Sequence, residues 1–412
     1  MRSIYDEILD ERYKGVPLGS APFELRAIPE RRWRVGTPDL PLPLLVARKR
    51  ALEYNIAAMQ RYCTARGADL APHGKTTMCP QIFDMQLAAG ATAITVATAQ
   101  QLAVCCKHGI RRVLLANQLA AIANVRYAVQ AVASDERLQL WTFVDSPEAV
   151  RLIAREARAS GLERPFDVIL EVGYAGGRTG VRSRASARDT AAAITAANRA
   201  VRLCGVGGFE GLLANDPRSF TDARAFVEQI AGVIDELIAS RVLAEEFIVT
   251  AGGSAAFDVV LETFAQRWPG RARVVLRSGC YVTHDHGMYE RAAPPELGFQ
   301  PALELWSSVQ SRPEPTLAYL TFGRREAGSD AGMPVPLYAL NARREKRAVA
   351  SWHIEGLNDQ HARLRLPPGE ALGVGDIVVC GISHPCTTLD KWRLVMLVDD
   401  DDVVADGLLT FF

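Results

Sequence analysis

The chain has 412 residues, 47 basic and 47 acidic side chains, and 49% apolar residues. Balanced charge leaves no basic footprint for nucleic acid or an anionic membrane surface, and no apolar run reaches the ~20 residues of a spanning helix. The length suits two domains with a large core.

The opening stretch, "MRSIYDEILDERYKG", is charged and mildly amphipathic and lacks the apolar centre of an export signal. We expect a short helix docked on the body. The segment "DLPLPLLVA" reads as an isolated strand that pairs with a later β domain. Eight cysteines stand at 63, 79, 105, 106, 204, 280, 380 and 386 with no C-x-x-C pair. The expectation is reduced thiols in a cytoplasmic protein, most of them small buried hydrophobes.

From residue 48 onward, short β-rich runs alternate with helical patterns. The runs are "ADLAPHG", "TAITVAT", "RVLLANQ", "LQLWTFVD", "FDVILEVG", "LCGVGGFE", "EFIVTAGG" and "VVLRSGCY". Near-continuous apolar strands, each followed by a helix, indicate a parallel sheet covered on both faces. Eight units predict a closed (β/α)8 TIM-type barrel over 48–300. In "CPQIFDMQLAAG", Ile82, Met85 and Ala89 share a helical face and Gly90 is the stop. After residue 300 the texture changes to short strands separated by Pro, Gly and Asn, which predicts an all-β domain formed by 1–47 plus 301–412. The run "VDDDDVV" reads as a solvated turn, not a metal cage.

In such a barrel, reactive groups sit at the C-terminal strand ends. Lys75 follows the first strand and Arg178 the fifth; "GFEG" ends the sixth, "AGGS" the seventh and "RSGCY" the eighth. Gly252, Gly253 and Ser254, with Gly279, Cys280 and Tyr281, lie where barrels hold a phosphate, because backbone N–H groups can approach its oxygens. An amine facing a phosphate cradle suits pyridoxal 5′-phosphate, with Lys75 bonding the aldehyde and Arg178 pairing with an atom of the ring. Alone, Lys75 reads as a solvated lysine and "AGGS" as a tight turn. They gain weight by falling at matching ends of one barrel.

Other motifs are weaker. Gly205, Gly207 and Gly211 resemble a dinucleotide loop, but "LLANDPRSF" follows and delays any helix that could receive a pyrophosphate. Neither a phosphate-binding G-x-x-x-x-G-K-[ST] nor a G-x-S-x-G nucleophile is present. His384 and Cys386 flank Pro385; on an extended strand that spacing puts both side chains on one face, able to share an ion. His284 and His286 repeat the spacing.

The stretch "PLLVARKRALEYNIAAMQRYCTARGADLAPHGKTTMCPQI" resembles the opening of the D-serine dehydratase and D-threonine aldolase group, which has the alanine-racemase fold. The likeness continues through "GGRTGVR", "GFEG", "TAGGS", "RSGCYVTHD" and "LNDQHARL" to "GDIVVCGISHPCTTLDKW". It implies that Lys75 bonds the cofactor, that Arg178 approaches the oxygen on its ring, and that the residues named above form the cradle. It also implies that His384 and Cys386 hold a divalent ion, zinc by preference, while His284 and His286 become structural. Departures are Cys280 for the commoner Asn, Ser254 for Thr, and Phe209 for a tyrosine. The expected activity is a metal-assisted D-serine dehydratase, or a deaminase of a similar 3-hydroxy D-amino acid, working as a homodimer. The alternatives are a D-threonine-type aldolase and a non-catalytic cofactor-binding protein. A racemase would need a second base that no residue supplies.

Overall fold

The computed structural model describes residues 3–197, 199–213 and 220–412. Part of "LLANDPRSF" therefore lies outside the described residues. The chain forms two compact units, one of residues 59–75 and 86–279, the other of 1–58, 76–85 and 280–412. This differs from the expected division at 48 and 300: residues 48–58, 76–85 and 280–300 group with the β-rich unit.

The first unit contains eight parallel strands: β1 (Asp69–Leu70), β2 (Ile94–Val96), β3 (Arg112–Gln118), β4 (Gln139–Val144), β5 (Phe166–Val172), β6 (Val201–Gly208), β7 (Phe247–Ala251) and β8 (Ala272–Leu276). They hydrogen-bond in the order β1-β8-β7-β6-β5-β4-β3-β2. A parallel bridge between His73 and Thr95 joins the two edges and closes the ring. The eight expected strands are all present. Their inward residues, Ala71, Ala93, Leu114, Phe143, Ile169, Ile248 and Val275, form one buried cluster that plugs the interior. This explains why the strands read as apolar on both faces: one face meets the plug and the other meets helices.

The glycines of "GVGG" have a packing role. Gly205 and Gly207 lie within β6, and a Cβ on Gly205 would come 2.0 Å from the Ile248 carbonyl oxygen of β7. They allow close strand approach and do not form a nucleotide loop. The helix Pro80–Ala88 ends before Gly90, whose φ of +114° suits a glycine stop. Its buried face is Ile82 and Phe83, whereas Ala89 is exposed, so the expected face is rotated.

The second unit is built on a ten-stranded sheet. The early strand Leu44–Arg48 pairs antiparallel with Leu303–Glu314 and parallel with Leu394–Val398, as its isolation predicted. Among the described residues, the N-terminal stretch forms a 3-10 turn at Ile4–Asp6 and a two-residue strand in place of a regular helix. It still supplies core: Leu9, Tyr13, Val16 and Phe23 pack in a cluster with Trp306 and Met396. The acidic run is a turn. Asp402 there bonds Arg48 Nη1 at 2.7 Å, and Arg48 Nη2 reaches Glu304 at 2.6 Å. Asp402 and Glu304 thus share Arg48 in an ion-paired network.

Candidate active site

Parallel strands all end on one side, so the residues just after them are brought together whatever their sequence separation. In the first unit these ends enclose a cavity of about 190 Å³ lined by His73, Lys75, Ala97, Ala116, Asn117, Phe143, Glu171, Arg178, Thr179, Phe209, Gly253 and Arg277. Larger hollows of about 680 and 400 Å³ open at the strand starts. Two ion pairs stand in their walls, Arg202 with Asp167 and Arg273 with Asp69. Size therefore does not pick the site; the end of the strands does.

Lys75 lies in the 3-10 turn Gly74–Thr76 directly after β1, with its side chain exposed. Arg178 follows β5 on a glycine-rich loop. Arg182 grips that loop, donating to the carbonyls of Gly177 at 3.0 Å, Arg178 at 2.6 Å, Thr179 at 2.5 Å and Gly180 at 3.0 Å. The Arg178 guanidinium lies 4.4 Å from the centre of the Phe209 ring. Phenylalanine keeps that cation–π contact although it lacks a hydroxyl. The two residues expected to face the cofactor ring thus meet in one cavity.

Several lining residues were not singled out by sequence reasoning. Arg277 is fully enclosed, donating to Thr250 Oγ1 at 2.8 Å and to the Gly208 carbonyl at 2.7 Å. Burial pulls its guanidinium below the usual arginine range, and Glu210 and Glu171 push it back up. Its signal is its place at the head of "RSGCY", directly after the eighth strand. Burial, followed by the positive charges of Lys75, Arg277 and Arg178, pushes the His73 imidazole well below its usual value. The ring is therefore neutral near pH 7, and its Nδ1 is enclosed without a hydrogen-bond partner. Glu171, at the end of β5, accepts from Gln118 Nε2, and burial raises its carboxyl pKa.

The cradle needs correction. The N–H groups of Gly252 and Gly253 donate to the carboxylate of Glu210, at 3.1 and 2.7 Å. The donors expected to meet a phosphate thus hold a buried side chain, whose pKa is raised by burial and only partly restored by these amides. On the other side of the turn, Ser278 Oγ donates to the Gly253 carbonyl at 2.6 Å, and Arg277 N–H donates to the Gly252 carbonyl at 3.1 Å. Glu210 and Ser278 thereby lace the loops after β6, β7 and β8 together. Ser254, half-buried, occupies the next position, and Gly279 follows Ser278. Cys280 and Tyr281 open the 3-10 turn Cys280–Val282, buried, in the β-rich unit.

The residues fit an anionic cofactor. Among the described residues, Lys75, Arg178 and Arg277 face the cavity against one carboxyl, Glu171, with His73 neutral. A phosphate-bearing aldehyde would find there both an amine and a positive wall.

In the β-rich unit the extended-strand expectation for His384 and Cys386 fails. Pro385 has helical dihedrals, and Cys386 opens a short helix, Cys386–Leu389. Alternation across a strand therefore does not relate the two side chains. His384 Nδ1 lies 2.7 Å from Asp330 Oδ2, and Thr387 Oγ1 donates to Asp330 Oδ1 at 2.5 Å. Burial raises the Asp330 pKa, but the hydrogen bonds from Thr387 and His384 outweigh this and hold it below the usual carboxylate range. Among the described residues no cluster of three or more His, Cys, Asp or Glu side chains is gathered for a metal. The donor chemistry still suits one: a carboxylate on Nδ1 leaves Nε2 as the ligating nitrogen, which is the usual support for a metal-bound imidazole. His284 is buried with a φ of +49°, and His286 Nδ1 is enclosed without a partner. Among the described residues no helix is long and apolar enough to cross a membrane.

A (β/α)8 barrel with an amine at its first strand end and cations at the fifth and eighth, joined to a β-rich unit, defines the alanine-racemase-like class of pyridoxal phosphate proteins. The chain belongs to that family: residues 48–266 match the alanine racemase N-terminal domain, and residues 302–398 match a putative serine dehydratase domain. It is 26% identical over 388 residues to a D-threonine aldolase of Arthrobacter sp., covering 91% of each chain. Over 130 residues it is 34% identical to the D-threo-3-hydroxyaspartate dehydratase of Delftia sp. (strain HT23), covering 32% of this chain and 33% of that one. Among solved structures, the D-threonine aldolase from Filomicrobium marinum has the same fold, with a TM-score of 0.77 and 23% identity over 90% of this chain and 95% of that one.

Proposed function

We propose that the protein is a pyridoxal phosphate-dependent lyase that removes the β-hydroxyl of D-serine or a similar 3-hydroxy D-amino acid, giving a 2-keto acid and ammonia. The observation that carries this reading is the cavity itself, in which, among the described residues, Lys75 faces Arg178 and Arg277 with one carboxyl, Glu171, in the wall. The match of residues 302–398 to a putative serine dehydratase domain supports the choice of elimination.

When bound through Lys75, the cofactor supplies an aldehyde for the substrate amine and a ring that accepts the electrons left at Cα. Once released from the aldehyde, the Lys75 amine is the base for the Cα proton. Arg178, held by Arg182 from below and by the Phe209 ring on its face, orients the cofactor ring. Arg277 fixes a positive charge that water cannot screen. Neutral His73 adds no charge, and its enclosed Nδ1 is available to a polar atom of the bound group. Phe143 and Phe209 supply the aromatic part of the cavity wall. His384, oriented by Asp330, and Cys386 would hold a divalent ion, zinc in this reading, supplying Lewis-acid chemistry for a departing hydroxyl.

A second reading, retro-aldol cleavage between Cα and Cβ, draws support from the D-threonine aldolase relative that spans 91% of both chains. A product assay separates them. Keto acid and ammonia from D-serine or D-threo-3-hydroxyaspartate, abolished by chelator, support elimination. Glycine plus acetaldehyde from D-threonine, with no keto acid from any of the panel, would replace it with the aldolase. The same reading carries a homodimer in the cytoplasm, tested by sedimentation and fractionation.

A further inference from the structure

Two thiols that are 106 residues apart meet in the β-rich unit. Cys280 Sγ and Cys386 Sγ are 3.8 Å apart. Thr76 Oγ1 completes a triangle with them, 3.6 Å from Cys386 Sγ and 3.9 Å from Cys280 Sγ. Cys280 is buried in its 3-10 turn, whereas Cys386 at the head of its helical turn is partly exposed.

We propose that Cys280 and Cys386 form a redox-active dithiol, a modification site that small disulfides such as oxidised glutathione convert reversibly to a protein disulfide. A disulfide needs its sulfurs about 2.05 Å apart, so closure asks for a movement of about 1.8 Å shared by two side chains. The partly exposed Cys386 thiolate attacks one sulfur of the reagent; that S–S bond breaks and one glutathione thiolate leaves. The Cys280 thiolate then attacks the Cys386 sulfur of the mixed disulfide and the second glutathione leaves. Two protein thiols give up two electrons and two protons, and two glutathione thiols carry them away.

The other cysteines are poor competitors. Cys63, Cys79, Cys105 and Cys380 are buried and Cys106 and Cys204 partly exposed, whereas the 280–386 pair sets a buried thiol in contact with a partly exposed one. Cys105 and Cys106 are adjacent on the helix Ala99–Lys107, where consecutive side chains do not face one another. Selectivity for the 280–386 pair therefore comes from proximity and access together.

The functional consequence rests on the proposed reading of Cys386 as an ion ligand: a sulfur bonded to Cys280 is not available as a thiolate, so ion and disulfide exclude one another. The test uses the full chain with its cofactor, equilibrated in glutathione buffers of increasing oxidised fraction with and without zinc. Samples are quenched with N-ethylmaleimide and read by intact mass and peptide mapping. Expected is the joint loss of two maleimide adducts, appearance of a cross-linked 280–386 peptide, and recovery of both adducts after dithiothreitol. Cys280→Ser should stop at one glutathione adduct on Cys386; the cross-linked wild-type peptide serves as evidence if that variant misfolds. Full alkylation of both cysteines in oxidising buffer overturns the proposal, as does a wild-type chain that stops at a glutathione adduct on Cys386 with Cys280 still alkylated. Zinc should slow oxidation several-fold. Oxidation unchanged by zinc would remove the ion-ligand reading and leave the dithiol standing.

Discussion

The barrel cavity and the His384–Cys386 corner were reached by the same kind of argument, and they turned out differently. Residues after parallel strands are gathered by the β ladder, so Lys75, Arg178 and Arg277 converge although they span about two hundred residues. The corner was argued from a spacing of two, which has meaning only on an extended backbone. Pro385 turns that backbone into a helical start, and the side chains take separate partners: His384 with Asp330, Cys386 with Thr76 and Cys280. Long-range inference resting on a regular sheet proved sturdier than short-range inference resting on an assumed local conformation.

The sharpest way to break this contrast is at the cavity. Lys75→Ala should abolish covalent cofactor attachment, read as loss of the visible absorbance, and lower turnover by roughly 10²–10⁴-fold. Normal attachment in that variant would remove the cavity from consideration. At the corner, Asp330→Asn should weaken divalent-ion binding by roughly 10–100-fold, because it supports the imidazole from behind. Calorimetric titration measures this while the absorbance of the barrel's cofactor stays unchanged. Equal ion affinity would mean that the corner orients no metal ligand.

Two smaller effects sharpen the description of the cavity walls. Glu210→Ala leaves the amides of Gly252 and Gly253 without their acceptor and should cost roughly 1–3 kcal/mol in denaturant unfolding. Glu210→Gln, which keeps an acceptor oxygen, should cost less. The smallest effect is pH-dependent. His73 in the folded chain has a pKa pushed well below the unfolded value of about 6.5, so the unfolded chain binds the extra proton first. Its contribution to stability is complete above that pH and is lost as pH falls through and below it, by at most about 1.4 kcal/mol per pH unit. Unfolding midpoints of wild type and His73→Gln should run parallel above pH 7 and converge or cross below pH 6. Parallel lines throughout would mean that His73 is solvated.

Much of the fold was legible. The eight apolar runs mark eight strands, and "DLPLPLLVA" pairs where its isolation suggested. Both patterns record which faces must leave water. Lys75 and Arg178, singled out in the sequence by residue type and place, both line the strand-end cavity. The site was not legible at Arg277, Glu171, His73 and Glu210, ordinary residues whose role depends on what lies across the barrel. Gly252 and Gly253 show the reverse: a motif suggested phosphate donors, but a carboxylate from another strand end takes those hydrogens.

What the sequence by itself determined is the order of strands and helices, the change of texture near residue 300, and the amine at the first strand end. Each follows from periodicity, turn residues or a charge set against an apolar run, which are properties of neighbours along the chain. Only the tertiary structure decided which donors and acceptors satisfy one another: Glu210 on the glycine amides, Asp330 behind His384, and Cys280 against Cys386. Those pairings depend on distances in space between residues far apart in sequence, and no local pattern encodes a distance.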